Sequence, residues 1–471
     1  MTLFTRRRPS TRAHFVGEGG IGMSGIAEVL LALGCRVSGS DRKQSEVTER
    51  LRSLGAEVRE GHSERNLDLL DGELDVVVTS SAVSTSNPEV ASAHARGIPV
   101  IRRAEMLAEL MRLRYGIAIA GSHGKTTTSS LIATVLHHAG LDPTAIIGGK
   151  LPSLGSNARL GQSEYLVAEA DESDGSFLHL MPTVAVVTNI DPEHLDHYGD
   201  FERLLAAFRD FIDKVPFFGR AVLCQDHPAV RTMIPTVTRK VITYGLTLGA
   251  SYRAEELLFS GLSSRFVALR HGERLGPVEI PMPGAHNVQN ALAALAVADF
   301  LGIPFATFQD AVRGFGGVGR RFTVRGRIIS DGDEIMVVDD YGHHPAEIRA
   351  TLSGARTGFP GRRLVVAFQP HRYTRTRDLL DEFGRAFDDA DEVVISEVYA
   401  ASESPIPGVS GAVLVDRIRA HGHRSVHFVP DRAALASELA RLVRPGDIVL
   451  TLGAGDISQT GGELLTLLAG H

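Results

Sequence analysis

The central part of the chain contains the stretch Gly121-Ser122-His123-Gly124-Lys125-Thr126-Thr127-Thr128. It follows the apolar run Tyr115–Ala120 and precedes a helix-like stretch, a pattern that predicts a strand, a glycine turn and a helix N-terminus. Backbone N–H groups and the helix dipole favour an anion there, so we expect Lys125 to reach the outer phosphates of a nucleoside triphosphate and Thr126 to ligate magnesium. Because Ile119 stands where the general P-loop has its first glycine, the loop is the shorter variant G-x-x-G-K-T. A chance Gly-Lys-Thr in a surface loop is the alternative explanation.

Length and composition bound the class of protein. The chain of 471 residues is too long for one ordinary core, and about 150 residues per domain suggests three domains. Its formal net charge of -7 argues against a protein that binds nucleic acid by neutralising phosphates. Cys35 and Cys224 form no pairing framework, which fits a reducing cytoplasm. We find no apolar signal segment at the start and no apolar run of about 18 residues, so neither export nor membrane insertion is expected.

The N-terminal part shows a glycine turn typical of a nucleotide-binding half. A short strand at residues 13–16 leads into Gly17-Glu18-Gly19-Gly20-Ile21-Gly22, an apolar helix and a second strand at residues 35–40. Asp41 ends that strand about twenty residues after the turn, which predicts a pyrophosphate at the helix N-terminus and Asp41 on a ribose hydroxyl. A purely structural glycine turn is the alternative. The pattern does not distinguish NAD from another dinucleotide or a UDP-sugar.

Polar residues follow two further strands of the central part. Glu169 ends the run that begins at Tyr165, and Asn189 and His194 follow the apolar run that begins at Thr183. Ligands of parallel sheets lie beyond the carboxyl ends of strands, so these side chains are expected to converge on the phosphates. Magnesium prefers oxygen ligands, which favours Thr126 and Glu169, whereas His194 is a less usual ligand. A solvated carboxylate and an exposed loop histidine are the alternatives.

The C-terminal part, from about Arg325, restarts the alternation of strands and helices. Its clearest predicted strands are residues 335–338, 364–368, 392–395 and 447–452. Polar residues concentrated after these strands suggest a ligand cleft. Arg372 and Arg375 follow one of them and suit bidentate binding of an amino acid's carboxylate. Ordinary surface salt bridges are the alternative.

Taken together, these residues resemble the Mur ligase family of ATP-dependent amide-forming enzymes over nearly the whole chain. The resemblance rests on ordered motifs that begin at Gly17, Gly121, Glu169, Thr188, Pro283, Gly317, Asp339 and Phe368: GEGGIGMSGIAEVL, GSHGKTTT, EADESDGSF, TNIDPEHLD, PGAHNVQNALAA, GVGRRF, DDYGHHPAEI and FQPHRYTRT.

The resemblance implies an α/β protein of three domains. Residues 1–112 would form a Rossmann-like domain for a UDP-sugar, residues 113–324 a central P-loop ATPase-like domain with a parallel sheet, and residues 325–471 a Rossmann-like domain for an amino acid. The implied reaction joins L-alanine to UDP-N-acetylmuramate through an acyl phosphate, using ATP and Mg2+, in the cytoplasmic synthesis of peptidoglycan precursors. A monomer or weak homodimer without nucleic-acid or membrane partners is expected.

The resemblance also assigns residues to each ligand. ATP would be held by Gly121, Ser122, His123, Gly124, Lys125, Thr126, Thr127, Asn287, Asn290, Arg321 and Asp340, and magnesium by Thr126, Glu169 and His194. The asparagines would contact adenine, Arg321 the terminal phosphate and Asp340 the ATP ribose. The UDP-sugar would contact Gly17, Gly19, Gly20, Gly22 and Asp41, and L-alanine Tyr341, His343, Arg372 and Arg375. The implied catalytic residues are Lys125, Glu169, His194, Arg321 and His343, the last as a proton acceptor.

Two positions depart from the family pattern, and other functions stay open. Ser122 replaces a common threonine, which should matter little because the backbone cradles the phosphates, while Glu193 replaces a frequent aspartate beside the metal. A ligase that recycles a whole peptide onto the same UDP-sugar is the nearest alternative. An NAD-dependent oxidoreductase would explain only residues 17–41, and a P-loop kinase or nucleotide switch would explain only residues 121–128.

Overall fold

The computed structural model describes residues 11–80, 82–151 and 156–470. These residues divide into two compact units. Unit 1 comprises the described residues of Met1–Glu255, Val267–Val278 and Gln289–Gly316. Unit 2 comprises those of Glu256–Phe266, Glu279–Val288 and Gly317–His471.

Unit 1 begins with a five-stranded parallel sheet in the order β3-β2-β1-β4-β5. Its strands and helices are β1 Arg12–Val16, α1 Ile21–Ala32, β2 Arg36–Asp41, α2 Glu46–Ser53, β3 Glu57–Glu60, β4 Val76–Thr79, α3 Pro88–Ala95, β5 Val100–Arg102 and α4 Arg103–Met111. The predicted strands lie within one residue of β1 and β2, so Asp41 is the last residue of β2. The glycine turn and Asp41 therefore lie at the same edge of the sheet.

A ten-stranded sheet follows in the order β15-β14-β13-β12-β11-β10-β6-β9-β7-β8. Its strands are β6 Tyr115–Ala120, β7 Thr144–Leu151, β8 Ser156–Arg159, β9 Tyr165–Glu169, β10 Val184–Val187, β11 Arg220–Cys224, β12 Val241–Gly245, β13 Tyr252–Ser260, β14 Ser263–Arg270 and β15 Glu273–Ile280. The helices of this part of the chain are α5 Lys125–His138, α6 Leu195–Tyr198, α7 Phe201–Asp213, α8 Pro228–Met233, α9 Ala285–Phe300 and α10 Phe305–Arg313. Strand β6 has the predicted bounds and pairs in parallel with β9 and β10.

Unit 2 contains a six-stranded sheet in the order β16-β17-β21-β18-β19-β20, in which only the β16–β17 pair is antiparallel. Its elements are β16 Thr323–Ser330, β17 Asp333–Asp340, α11 Pro345–Gly358, β18 Leu364–Phe368, α12 Tyr373–Asp378, α13 Leu380–Gly384, β19 Glu392–Ile395, α14 Gly411–Ala420, β20 Val426–Phe428, α15 Leu435–Leu442, β21 Ile448–Leu452 and α16 Thr460–Ala469. The predicted strands of the C-terminal part are confirmed, with β18 and β19 matching residue for residue.

The central strands of all three sheets are buried on both faces. Residues 117–120 of β6, 184–187 of β10 and 364–368 of β18 are fully buried. Continuous apolar runs of this kind are typical of parallel strands covered by helices on both sides. The predicted α/β class is confirmed, while the domain bounds at residues 112 and 324 stay a prediction.

Local sequence signals explain how several helices begin. Ser45 caps α2 by accepting a hydrogen bond from Thr48, and Asp200 caps α7 by accepting one from the N–H of Arg203 at 2.8 Å.

The longest helix among the described residues, α9, has 16 residues. Across the described ranges, no helix is both long and apolar enough to span a bilayer.

Both cysteines are free and buried in unit 1. Cys35 precedes β2, and Cys224 is the last residue of β11. Burial raises the pKa of each thiol to about 11. At neutral pH each side chain is therefore an uncharged thiol that packs as a small apolar group.

Candidate functional site

The phosphate loop, residues 121–124, connects β6 to α5 and has the conformation that its glycines predict. Gly121 and Gly124 have φ angles of +133° and +81°, which residues with a side chain rarely adopt. A Cβ atom at Gly121 would also overlap the hydroxyl of Thr188. Gly124 directly precedes α5 and supplies no side-chain cap, which leaves the helix N-terminus suited to an anion.

The segment that follows β10 holds this loop in shape. Asn189 accepts a hydrogen bond from the His123 N–H at 2.7 Å and donates one to the His123 carbonyl at 3.1 Å. The Thr188 hydroxyl donates to the same carbonyl at 2.6 Å. The N–H of Asp191 donates to the Ser122 hydroxyl at 2.8 Å. Asn189, predicted to approach the phosphates, therefore shapes the loop in this structure.

Lys125 forms an ion pair inside the site. Its Nζ donates to both carboxylate oxygens of Glu172, at 2.9 and 2.8 Å, and to the Gly121 carbonyl at 2.5 Å. Its side chain is 18% exposed, and that of Glu172 is 2% exposed. Burial disfavours the charged amine, but nearby carboxylates, foremost that of Glu172, raise the pKa of Lys125 above its usual range. The loop therefore holds a permanent cation.

Two predicted magnesium ligands, Glu169 and Thr126, are connected through Ser129. Glu169 ends β9, and its Oε1 accepts a hydrogen bond from the N–H of Gly148 at 2.7 Å. The hydroxyl of Ser129 lies 3.4 Å from the same oxygen and 3.1 Å from the carbonyl oxygen of Thr126. Ser129 thus links Glu169 to the turn of α5 that carries Thr126.

Arg103, the first residue of α4, links the N-terminal glycine turn to the acidic segment that follows β9. Its Nη2 lies 3.2 Å from Oδ2 of Asp171, and a Cβ atom at Gly22 would overlap its guanidinium group. Burial disfavours the charged carboxylate of Asp171, but Lys125 and Arg103 outweigh this effect and lower its pKa. Arg103 therefore lies between the N-terminal turn and the acidic residues beside the phosphate loop.

Histidines pair with acidic residues beside the phosphate loop. Asp191 lies between two imidazoles: its Oδ2 is 3.0 Å from His123 Nε2, and its Oδ1 is 3.2 Å from His227 Nε2. Burial disfavours its charge, but these hydrogen bonds lower the pKa of Asp191 well below its usual range. His194, a predicted magnesium ligand, has φ of +57° and an Nε2 that lies 3.6 Å from Glu193 Oε2.

The structure brings together the predicted UDP-sugar residues. Gly17, with φ of +80°, follows the last residue of β1, and Gly20 directly precedes α1. The N–H of Gly19 donates to Asp41 Oδ2 at 2.9 Å. In this structure Asp41 therefore binds the turn itself, which fixes its carboxylate beside the expected diphosphate position.

The two asparagines predicted to contact adenine both lie on α9. Asn290 Oδ1 accepts a hydrogen bond from the Thr128 hydroxyl at 3.1 Å, and a Cβ atom at Gly124 would lie 2.9 Å from it. Asn290 therefore lies against the phosphate loop. Asn287 belongs to unit 2, where its amide donates to the Pro283 carbonyl at 2.8 Å.

Unit 2 collects the remaining predicted ATP residues near the end of β17. Arg321 Nη1 lies 3.3 Å from Glu347 Oε1, and its guanidinium lies 5.3 Å from the ring centroid of Tyr341. The carboxylate of Asp340 accepts hydrogen bonds from the N–H groups of Phe322 and Gly342, at 2.7 and 2.8 Å. Burial raises the pKa of Asp340. Both of its oxygens thus serve the protein's own backbone.

The imidazole of His343 lies beside Tyr341, and that of His371 lies beside His343. His343 Nδ1 is 3.0 Å from the Tyr341 carbonyl and 3.3 Å from Glu347 Oε2. The ring centroids of His343 and His371 are 5.8 Å apart. Burial, assisted by Arg375, lowers the pKa of His343 to about 3 and that of His371 to about 4. Both rings are therefore uncharged at neutral pH.

The two arginines predicted to bind a carboxylate differ in their surroundings. Arg372, which has φ of +73°, forms an ion pair with Glu403 at 2.7 Å. The same carboxylate accepts hydrogen bonds from the N–H and hydroxyl of Thr374. Arg375 Nη1 lies 3.4 Å from His371 Nδ1 and 3.3 Å from its carbonyl oxygen. Arg375 therefore lies beside His371 and near His343, whereas Arg372 is paired with Glu403.

Several residues of these sites were missed by sequence reasoning. Glu172 lies in the motif that supplied Glu169, and its partner could have been sought because an acid so close to a phosphate loop needs a cation. Glu403 and Arg103 gave no usable signal, since each is separated from its partner by a long stretch of chain.

Models of known protein families match three successive parts of this chain. The model of the Mur ligase family, catalytic domain, matches residues 12–115, that of the Mur ligase middle domain residues 119–298, and that of the Mur ligase, glutamate ligase domain, residues 320–455.

Full-length relatives and solved structures match as well. The chain is 59% identical to the UDP-N-acetylmuramate--L-alanine ligase of Anaeromyxobacter sp. (strain Fw109-5), over 99% of this chain and 100% of the relative. It is 59% identical to the enzyme of the same name from Trichlorobacter lovleyi, over 97% and 99%. The crystal structure of UDP-N-acetylmuramate-alanine ligase MurC from Thermotoga maritima superimposes with a TM-score of 0.81 at 30% identity, covering 98% of this chain and 99% of that one. A murein peptide ligase from Psychrobacter arcticus shares the fold, with a TM-score of 0.71 at 24% identity over 98% and 99%. The chain therefore belongs to the Mur ligase family.

Proposed function

We propose that this protein uses ATP to join L-alanine to UDP-N-acetylmuramate, in the cytoplasmic synthesis of peptidoglycan precursors. The observation that carries the proposal is the phosphate loop with its partly buried, charged Lys125, in a chain that is 59% identical along its length to UDP-N-acetylmuramate--L-alanine ligases. Residues 1–112 hold the UDP-sugar, residues 113–324 hold ATP and residues 325–471 hold the amino acid.

The first step overcomes the poor reactivity of a carboxylate as an acyl donor. The lactyl carboxylate of UDP-N-acetylmuramate attacks the terminal phosphoryl group of ATP, which releases ADP and forms an acyl phosphate. Both reacting groups are anionic, so the protein must supply positive charge. Lys125 at the phosphate loop and Arg321 in unit 2 are the cations assigned to this task, with the loop glycines and Ser122, His123, Thr126 and Thr127 around the phosphates.

Magnesium fits the chemistry of the same region. The carboxylates of Glu169, Asp171 and Glu172 lie close enough to Lys125 to raise its pKa. Hard cations such as magnesium prefer oxygen ligands of this kind. We assign Thr126, Glu169 and His194 as the residues that would hold the ion. When bound, it would neutralise charge on the phosphates.

The second step needs an uncharged amine, which attacks the acyl phosphate and releases phosphate through a tetrahedral intermediate. Tyr341, His343, Arg372 and Arg375 are assigned to the L-alanine pocket. An imidazole whose pKa is about 3 is a weak base, so His343 accepts the amine's proton only if bound substrate restores its basicity. We assign His343 as an uncharged hydrogen-bonding group beside Tyr341.

The adenine and ribose assignments are Asn287, Asn290 and Asp340. The position of Asn290 against the phosphate loop supports its assignment to the nucleotide. Asp340 already accepts hydrogen bonds from two backbone N–H groups, so a ribose contact would have to share its oxygens.

The proposal is tested by phosphate release. The full-length enzyme with ATP and Mg2+ should release phosphate only when UDP-N-acetylmuramate and L-alanine are both present. Faster turnover with a tripeptide than with L-alanine would identify the peptide-recycling alternative. Binding of NADH without ATP would indicate an oxidoreductase, and ATP turnover without either substrate a kinase or switch.

Asp41→Ala should weaken binding of UDP-N-acetylmuramate by about ten- to a hundredfold and leave ATP affinity nearly unchanged, because the charge-assisted hydrogen bond expected between Asp41 and the ribose hydroxyl contributes about 1.5 to 3 kcal/mol. Asp41 lies at the N-terminal glycine turn, where its carboxylate binds Gly19. Calorimetric titration of both ligands measures the effect. An equal loss of ATP affinity would contradict separate sites.

A further inference from the structure

Glu18 is a buried acid inside the N-terminal glycine turn. It stands between Gly17 and Gly19, and its backbone N–H donates to the Ser40 carbonyl at 3.0 Å. Its side chain is fully buried and lies over Gly39, where a Cβ atom would overlap Oε2. The missing side chain at residue 39 of β2 therefore makes the space that the Glu18 carboxyl fills.

This carboxyl group has no hydrogen-bond partner in the part of the chain that the structure describes, at either Oε1 or Oε2. An unpaired buried carboxylate is costly, so the group favours its neutral form. Two charged groups act on it: Asp41 at the end of β2 and Arg52 on α2. Burial and Asp41 raise the pKa of Glu18 to about 8, and Arg52 opposes them.

The expected ligand makes a charge at this position still less favourable. A diphosphate at the N-terminus of α1 would be bound by backbone N–H groups of the turn that contains Glu18. Asp41 already places one carboxylate on the N–H of Gly19. A second negative charge one residue away would repel the diphosphate.

We propose that Glu18 must carry a proton for the glycine turn to accept the diphosphate of a UDP-sugar, an inference that rests on the proposed function of this site. The neutral acid is then a part of the binding site, and its ionisation closes the site to an anion. Binding of the UDP-sugar holds the proton on Glu18, and loss of the proton releases the ligand. Apparent affinity therefore follows the protonated fraction of Glu18.

The experiment is a calorimetric titration of full-length enzyme with UDP-N-acetylmuramate at half-unit steps from pH 6.5 to 9.0. For the unmodified enzyme, the Kd should rise about tenfold between pH 7 and pH 9, since the protonated fraction falls by that factor. Glu18→Gln keeps the shape and stays neutral, so its Kd should stay within about twofold of the pH 7 value at every pH. Glu73→Gln, which removes an exposed glutamate from the same sheet domain, should retain the full pH dependence.

A variant outside the turn separates ionisation from shape. Arg52→Gln removes the positive charge that opposes the upward shift, so the pH at which affinity falls should move higher. Glu18→Met, which is apolar and of similar length, should abolish the pH dependence in case Glu18→Gln folds poorly. Retention of the wild-type pH profile in folded Glu18→Gln or Glu18→Met would overturn the inference. Failure of the unmodified enzyme to bind UDP-N-acetylmuramate at any pH would instead overturn the proposed function.

Unfolding provides a second readout. Folding raises the pKa of Glu18, so the folded state retains a proton that the unfolded chain has lost between about pH 4.5 and 8, and this group's contribution to stability falls as pH rises through that window. Glu18→Gln should therefore unfold at a higher temperature than the unmodified enzyme at pH 9, with a smaller difference at pH 5. Equal unfolding temperatures at pH 9 would contradict the buried, unpaired acid.

Discussion

Lys125→Ala is expected to lower the rate of ATP-dependent ligation by at least about a hundredfold at saturating ATP, the loss typical of deleting one preorganised charge-stabilising group. Lys125 is the cation of the phosphate loop, held there by the Gly121 carbonyl and by Glu172. Residues 121–128 contain no other lysine or arginine that could replace this charge. Steady-state phosphate release, with both substrates present, measures the effect.

The ion pair with Glu172 requires a control for folding. Lys125→Ala leaves a nearly fully buried carboxylate without its cation, which destabilises the protein independently of catalysis. The double variant Lys125→Ala with Glu172→Gln removes that charge, so it should regain thermal stability and remain as slow as the single variant. Lys240→Ala, at an exposed lysine of the same unit, should have normal turnover. Near-normal turnover of Lys125→Ala would show that Lys125 does not serve the phosphates.

Arg375→Ala should raise the half-saturating concentration of L-alanine by roughly ten- to a hundredfold, because a charge-assisted hydrogen bond contributes about 1.5 to 3 kcal/mol. Arg372→Ala should act in the same direction if Arg372 leaves Glu403 when the amino acid binds. Formation of the acyl phosphate precedes attack by alanine, so borohydride should still trap that intermediate in both variants. Alanine titrations and trapping together make the measurement.

Arg377 provides a matched control for this prediction. It lies on the same short helix, α12, but its side chain is 54% exposed and is paired with Asp378. Arg377→Ala should leave the alanine dependence unchanged. Loss of the trapped intermediate in Arg375→Ala, with an unchanged alanine dependence, would instead assign Arg375 to the phosphates.

The parts of the fold that the sequence predicts are those governed by local rules. The run from Tyr115 to Ala120 is apolar and is followed by Gly121, so its bounds as β6 follow from burial and turn chemistry. Asp41 could be placed at the N-terminal turn because it ends β2, which pairs in parallel with β1, the strand that leads into the glycines. By contrast, the strands of residues 241–280 were not predicted, since β13 alternates in burial and lacks a continuous apolar run.

The pairing of charged side chains is less predictable than the position of each residue. Arg372 and Glu403 lie 31 residues apart, and Lys125 and Glu172 lie 47 apart. Such pairs depend on how loops from different strands meet, which no periodicity in the sequence encodes. The sequence therefore predicts which residues gather at the strand ends, and the structure adds which acids hold the basic residues.

The two buried cysteines allow local opening of the N-terminal and central sheets to be measured by chemical labelling. Alkylating reagents attack the thiolate, which is scarce at neutral pH when the pKa is about 11. Labelling must therefore wait until the surrounding structure opens. Because Cys35 adjoins β2 and Cys224 ends β11, the labelling rate at each would time the local opening of the N-terminal and central sheets separately, in an otherwise unmodified enzyme.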